Sequence, residues 1–396
     1  MTKFNFSDKV KDLKPSAIRE IFKSLSDPDM ISFGAGNPSP ESFPIEQMKL
    51  ISDDIFANDY VNAFQYSVTE GYPTLRNQIS QRLKDKFNTG TDDDSLIITT
   101  GGQQGIDLAA KVLCNEGDVI ICENPSFIGA LNAFRAYNVN LVGVDVENDG
   151  INIEQLEKAL EENKNTKMLY LIPTFQNPSG ITMSLEKRKA VLDLAVKFNV
   201  VILEDNPYGE LRFSGEDVPT IKSLDTTGNV LYCSSFSKIL SAGMRLGFIC
   251  GNQELIQKIV VVKQVNDVHT NIFFQILASK FISEYGLDSH IEKIKKLYKY
   301  KSDLMTSEFD KNFKGEVTYN KPEGGLFLWG TLKKGMDSDQ LVKSGISEKV
   351  AIVGGSTFLP NPGVSNSFRM NYSTPSDEQI IIGMERLYKA YKKIGK

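Results

Sequence analysis

Five apolar runs, each ending in a loop of polar, glycine or aromatic residues, constrain this chain more than anything else in it. They cover 96–100, 119–122, 167–172, 200–203 and 230–233. Runs of that length, bounded by turn residues, read as strands buried on both faces. Helical stretches separate them, one starting at 106, one ending near 134 and one over 184–198. Alternation of this kind predicts an α/β sheet with mostly parallel strands. In open sheets of that class the ligand lies outside the carboxyl ends of the strands. The loops at those ends carry Gly102 and Gln103, then Phe127, Asn177, Asp205 with Tyr208, and Ser235 with Lys238.

The last of these loops is the richest chemically. The run 230–233 stops at Ser234, Ser235 and Ser237 around Phe236, then reaches Lys238, with Arg245 seven residues on. A lysine just past a strand end is well placed to form a Schiff base with a carbonyl cofactor. The hydroxyls and Arg245 suit that cofactor's phosphate. Ser-x-x-Lys also occurs in serine acylases, and a solvated loop lysine is the plain alternative. The sequence Gly101-Gly-Gln-Gln-Gly105 sits between strand and helix, which aims backbone N–H groups at a phosphate. It is neither a P-loop nor G-x-G-x-x-G.

Composition closes off other classes. At 396 residues the chain is long enough for two domains. Its 41% hydrophobic and 24% charged residues are those of an ordinary globular protein. The net charge of −5, with no long basic block, argues against nucleic acid or anionic membrane as partner. No run approaches a membrane span, and the polar start lacks a signal-peptide core, so a cytoplasmic location is expected. Cys114, Cys122, Cys233 and Cys250 form no C-x-x-C pair and read as reduced thiols. Two histidines, His269 and His290, are too few for a histidine metal site.

Outside the central alternation, 15–27 reads as a short helix with Ser16 as its cap, followed by a strand at 31 that runs into a Gly/Pro loop. Gly34 and Gly36 in that loop permit close backbone approach to a ligand. Residues 286–310 read as a long lysine-rich helix leading into an α+β region. That region has strands at 316–319, 350–353 and 367–372, a helix at 337–347 and a terminal helix at 376–392. Arg369 lies in an otherwise apolar strand, where a buried guanidinium wants either an anionic ligand or a structural ion pair.

Taken together these residues resemble the fold type I pyridoxal-phosphate aminotransferases of class I/II. Ser-Ala-Ile-Arg-Glu-Ile at 16–21, Phe-Gly-Ala-Gly-Asn-Pro-Ser-Pro-Glu-Ser-Phe-Pro at 33–44 and Pro-Thr-Phe-Gln-Asn-Pro-Ser-Gly at 173–180 are similar to the aminoadipate/kynurenine aminotransferase branch. The resemblance runs from about residue 15 to the end. It implies a mainly parallel seven-stranded sheet flanked by helices over 46–286, with a smaller α+β domain from 1–45 and 287–396. It implies pyridoxal 5'-phosphate as cofactor and amino transfer from an L-amino acid to a 2-oxo acid. Lys238 would carry the Schiff base and act as base, Asp205 would face the pyridinium nitrogen, and Asn177 and Tyr208 would bond the phenolic oxygen. Phe127 would stack on the ring. Gly102, Gln103, Ser235, Ser237 and Arg245 would hold the phosphate. Arg369 would clamp the substrate α-carboxylate, with Asn177 and Gly36 beside it and Arg19 near the side chain. Tyr66, in Phe64-Gln-Tyr-Ser, would reach the cofactor phosphate of a second subunit, which implies a homodimer.

The chain departs from the common pattern at two places. Gly102 stands where many relatives have Ser or Ala, and Phe127 where many have Tyr. The same cradle also serves β-lyases on sulfur amino acids. A non-catalytic ligand sensor on this fold would come with a DNA-binding domain, for which about 15 leading residues leave no room.

Overall fold

The computed structural model describes residues 4–11 and 27–395. Residues 12–26, and with them Ser16, Arg19 and the short helix read there, lie outside the described residues. The first strand is β1 (Ile31–Ser32). The large sheet then takes β2 (Asp94–Thr99), β3 (Val119–Asn124), β4 (Asn140–Glu147), β5 (Gly150–Ile151), β6 (Thr166–Leu171), β7 (Val201–Asp205), β8 (Val230–Ser235) and β9 (Gly247–Asn252). Their order across the sheet is β2-β9-β8-β7-β6-β3-β4-β5.

The central strands β3, β6, β7 and β8 pair in parallel, and β9 runs antiparallel between β8 and β2. Ile120, Ile121, Met168, Leu169, Ile202, Leu203 and Leu231 are fully buried. Helices cover both faces of such a sheet, so adjacent residues of one strand are both buried. The seven-stranded expectation is short by one. Gly150, at φ 118°, turns the chain back so that Val146 and Glu147 pair antiparallel with Ile151 and Gly150. A two-residue edge strand of this kind leaves no apolar run to read.

The second sheet has the order β10-β11-β14-β13, from β10 (Thr318–Tyr319), β11 (Phe327–Thr331), β13 (Val353–Gly354) and β14 (Ser367–Asn371). The single strand expected over 350–353 is two. β12 (Val350–Ala351) pairs in parallel with β1, whereas β13 pairs with β14. Four successive apolar residues carry no mark of a change of partner. The helix Leu287–Phe313 passes between the two sheets' segments and packs against the terminal helix Asp377–Ile394. Phe309 and Phe313 stack at 4.5 Å between ring centroids, and Tyr388 meets Phe313 edge-on. Ser376 and Gln379 close the terminal helix with a reciprocal capping box. Among the described residues no helix is long and apolar enough to cross a membrane.

Candidate active site

The carboxyl ends of β2, β3, β6, β7 and β8 open on one cleft. It is lined by Gly36, Gly102, Gln103, Phe127, Asn177, Asp205, Tyr208, Ser235, Ser237, Lys238, Arg245 and Arg369, all expected there from sequence, and by Asn37, Ile172 and Phe327.

Lys238 owes its position to a tight turn after β8. Ser235 Oγ takes the Ser237 amide at 3.0 Å and lies 2.8 Å from Ser237 Oγ and 3.1 Å from the Leu246 carbonyl. That turn directs Lys238 across the cleft, where Nζ donates to the Gly36 carbonyl at 2.7 Å. Burial, with Arg369 and Arg245 nearby, depresses the amine to about 8. A lysine near that value exchanges a proton readily at neutral pH.

The phosphate end is built from backbone. Helix Gly102–Leu113 begins directly after β2, and its first-turn amides have no intrahelical partner. Arg245 closes over this terminus in a left-handed conformation, φ 53°, with Nη1 3.5 Å from Ser237 Oγ. Gly101 sits at φ 73°, a backbone conformation that strains any residue with a Cβ, and a Cβ there would also displace the Arg245 guanidinium. At Gly102 a Cβ would meet only ordinary contacts, the nearest being Ser235 Cβ at 3.7 Å. Gln103 Nε2 bonds the Gly129 carbonyl at 2.9 Å, tying this helix to the Phe127 loop.

The ring end has one carboxylate. Asp205, the last residue of β7, is buried, and Tyr170 Oη donates to its Oδ2 at 2.7 Å. Burial pushes the carboxyl up to about 7, against the pull of the Tyr170 hydrogen bond. Beside it Asn177 Nδ2 lies 3.4 Å from Tyr208 Oη. The Tyr208 ring stands edge-on to Phe327, 5.8 Å between centroids.

Arg369 forms the opposite wall. It is 2% exposed, sandwiched against Phe327 and Phe358 with its guanidinium carbon 4.2 and 4.9 Å from their ring centroids. Nη1 donates to Asn177 Oδ1 at 2.8 Å and Nη2 to the Gly34 carbonyl at 3.0 Å, while Nε has no partner. Among the described residues no carboxylate pairs with it, and burial pulls its value down to about 10. A buried guanidinium held by neutral acceptors is a site for an anion.

Tyr66 is not in this cleft. It is 82% exposed and touches His269 edge-on at 5.9 Å. Arg19 lies outside the described residues. Sequence reasoning missed Tyr170, Phe327 and Phe358, and read Gly34 as a point of backbone approach without seeing that its carbonyl serves Arg369. Tyr170 sits in an apolar strand and looks like packing, whereas the Gly34 carbonyl belongs to no side chain.

The cleft therefore combines one amine, one carboxylate facing it, two guanidiniums and a free helix N-terminus. That donor set fits pyridoxal phosphate, whose phosphate, ring nitrogen and aldehyde require cation, carboxylate and amine in turn. The family Aminotransferase class I and II matches residues 28–387. The chain is 38% identical to the aromatic-amino-acid aminotransferase 1 of Thermococcus litoralis, over 98% of this chain and 94% of that one. It is 35% identical to the 2-aminoadipate transaminase of Thermus thermophilus, covering 96% and 94%. The crystal structure of Pyrococcus horikoshii kynurenine aminotransferase superposes with a TM-score of 0.95, at 36% identity over 99% of this chain and 98% of that one. Fold, cleft chemistry and kinship agree: the chain belongs to the class I and II aminotransferases and is a pyridoxal-phosphate-dependent aminotransferase.

Proposed function

We propose that the enzyme moves the amino group of an L-amino acid to 2-oxoglutarate, with Lys238, Asp205, Asn177, Tyr208 and Arg369 as its working residues. Arg369 carries this reading, as a buried guanidinium with an unpartnered Nε and, among the described residues, no carboxylate paired with it. Its Nη atoms donate to Asn177 and Gly34, so a substrate α-carboxylate arrives at a group already fixed in direction. When bound, pyridoxal phosphate supplies the aldehyde that accepts the amino group and the electron-poor ring that stabilises charge at the substrate Cα. Lys238 Nζ takes and returns the Cα proton, and its value near 8 suits both directions. Asp205 holds the ring nitrogen's proton by charge. Asn177 and Tyr208, side by side in the cleft, would bond the phenolic oxygen, and Phe127 would hold the ring. Ser235, Ser237, Arg245 and the amides of Gly102 and Gln103 bind the phosphate. Gly36 shapes the substrate side; Arg19, expected from the sequence to read the far end of acidic donors, lies outside the described residues.

In this reading residues 46–286 form the cofactor-holding unit, and 1–45 with 287–396 the unit that brings in Arg369. The enzyme works in the cytoplasm as a homodimer. An apolar face supports the dimer: Phe56, Tyr60, Val61 and Phe64 are each more than half exposed, and Phe56, Phe64 and Phe273 cluster within 6.0 Å. Tyr66 stands on that face and would complete the second subunit's phosphate site.

An amino-acid panel with 2-oxoglutarate tests the reaction. Glutamate formation dependent on 2-oxoglutarate is expected. Pyruvate and ammonia release without it would instead mark β-elimination. Borohydride reduction and peptide mapping should label Lys238. Arg19→Ala should raise KM for 2-aminoadipate well above its effect on leucine.

A further inference from the structure

Asp205 is held by one described side chain only. Tyr170 Oη donates to Oδ2 at 2.7 Å, and Oδ1 receives no hydrogen bond from any described residue. Tyr170 is fully buried on β6, the strand next to β7, and its ring packs edge-on against Phe134 at 5.3 Å between centroids. Neither residue can turn away. Phe134 and the sheet fix the phenol, and the phenol fixes the carboxylate plane.

We propose that Tyr170 is a positioning residue for amino transfer. Its hydroxyl captures Asp205 Oδ2, leaves Oδ1 to the cleft, and keeps the carboxylate charged where burial opposes charge. This rests on the placement of Asp205 against the cofactor ring nitrogen given above.

The surroundings show why the carboxylate needs this donor. Glu123, at the end of β3, is a buried acid close enough to feel the charge of Asp205. It is pushed up to about 8 by burial, and it accepts the Ile172 amide at 2.9 Å and Gln176 Nε2 at 3.4 Å. Cys233 on β8 has its thiol driven well up by burial, with Asp205 adding to the effect. Tyr208 is also held in its neutral form, first by burial. No cation bonds Asp205 among the described residues, so the phenol is the neutral donor that offsets desolvation. The direct bond to the carboxylate distinguishes Tyr170 from Glu123, which makes no hydrogen bond to Asp205 and feels its charge only through space.

The test measures the carboxyl itself. Infrared titration of the full-length protein stripped of cofactor resolves the protonated carboxyl bands, which Asp205→Asn and Glu123→Gln assign. In Tyr170→Phe the Asp205 midpoint should rise by about one pH unit, the value of a hydrogen bond to a charged group. The ring and its Phe134 contact survive, so the circular-dichroism melt should stay near wild type. Should Tyr170→Phe fail to fold, 3,5-difluorotyrosine at position 170 keeps the shape, strengthens the donor, and should move the midpoint down. With cofactor loaded, the visible band of Tyr170→Phe should titrate displaced in the same direction as that of Asp205→Asn, by a smaller amount. Tyr170→Phe with an unmoved Asp205 midpoint, while Asp205→Asn is inactive, would overturn the proposal and leave the site reading standing. Full turnover by Asp205→Asn together with a moved midpoint would overturn the role of Asp205 and so the positioning role built on it, leaving only the hydrogen bond.

Discussion

Two pairs of buried cations in this molecule have opposite fates. Arg188 and Lys222 lie where helix Leu185–Phe198 meets the short helix Ile221–Leu224. Arg369 and Lys238 lie in the cleft. Arg188 donates to the carbonyls of Met183, Pro219 and Pro173 and to Thr174 Oγ1, with Glu204 4.0 Å away. Lys222 sits between Asp94 at 2.9 Å and Asp225 at 3.1 Å, and these acids outweigh burial and raise its value. The cleft pair is buried too, but among the described residues no acid bonds either cation, and Lys238 is depressed instead. Burial alone does not tell a structural cation from a working one; the supply of acceptors does.

Replacing Lys238 draws this contrast most strongly. Lys238→Met should lose at least about 10⁴-fold in turnover, since base and covalent anchor go together. The same change should stabilise the cofactor-free protein by roughly 1–3 kcal/mol at pH 7. The sign follows from the depressed value: below about pH 8 the amine is charged in both states and its burial penalty is present in full. Between about 8 and the ordinary 10.5 the folded chain holds fewer protons, so wild-type stability rises with pH and the variant's advantage fades. Lys222→Met should do the reverse, destabilising by about 3–5 kcal/mol because Asp94 and Asp225 stay buried without a cation. Thermal melts at pH 7 and 10 on both variants separate the two cases. A Lys238→Met protein less stable than wild type at pH 7 would break the comparison.

The arginines come next. Arg369→Leu should lower kcat/KM about 10²–10³-fold for every donor while the melt holds. Arg188→Met should instead drop stability by about 3–5 kcal/mol, with residual turnover per folded molecule near wild type. Phe64→Asp, on the exposed apolar face, should shift sedimentation toward monomer and weaken cofactor retention, and a stable dimer would remove that face from assembly. The smallest effect is at Gly102. A Ser there meets no clash and adds one hydroxyl at the helix terminus, so cofactor affinity by fluorescence titration should improve about 2–10-fold.

Much of the cleft was legible because strand ends leave a signature, an apolar run broken by a functional polar residue. Lys238, Asp205 and Asn177 each lie in the loop or turn that such a run leads into. Arg369 was legible for the opposite reason, as a charge inside an apolar strand. What escaped was contact across strands and contact through backbone. Tyr170 reaches Asp205 only because β6 and β7 are neighbours, with Tyr170 opposite Leu203 in the pairing. The Gly34 and Gly36 carbonyls serve Arg369 and Lys238 without any side chain to announce them. Secondary-structure ends followed the same logic. The long helix extends to Phe313, past the expected 310, because Phe309 and Phe313 stack into the terminal helix, a partner invisible to local pattern.

The pairing of β1 with β12 has a consequence for how the protein is made. Ile31 and Ser32 wait for Val350 and Ala351, and the Asn37 carbonyl waits for Ser373, 336 positions later. During synthesis the cofactor-facing loops around Lys238 leave the ribosome long before Arg369 and the segment that fixes the Gly34 and Gly36 carbonyls. A nascent chain thus presents the phosphate cradle early and the substrate clamp last. A ribosome stalled shortly before residue 350 should yield a chain able to capture pyridoxal phosphate while still unable to select an amino acid.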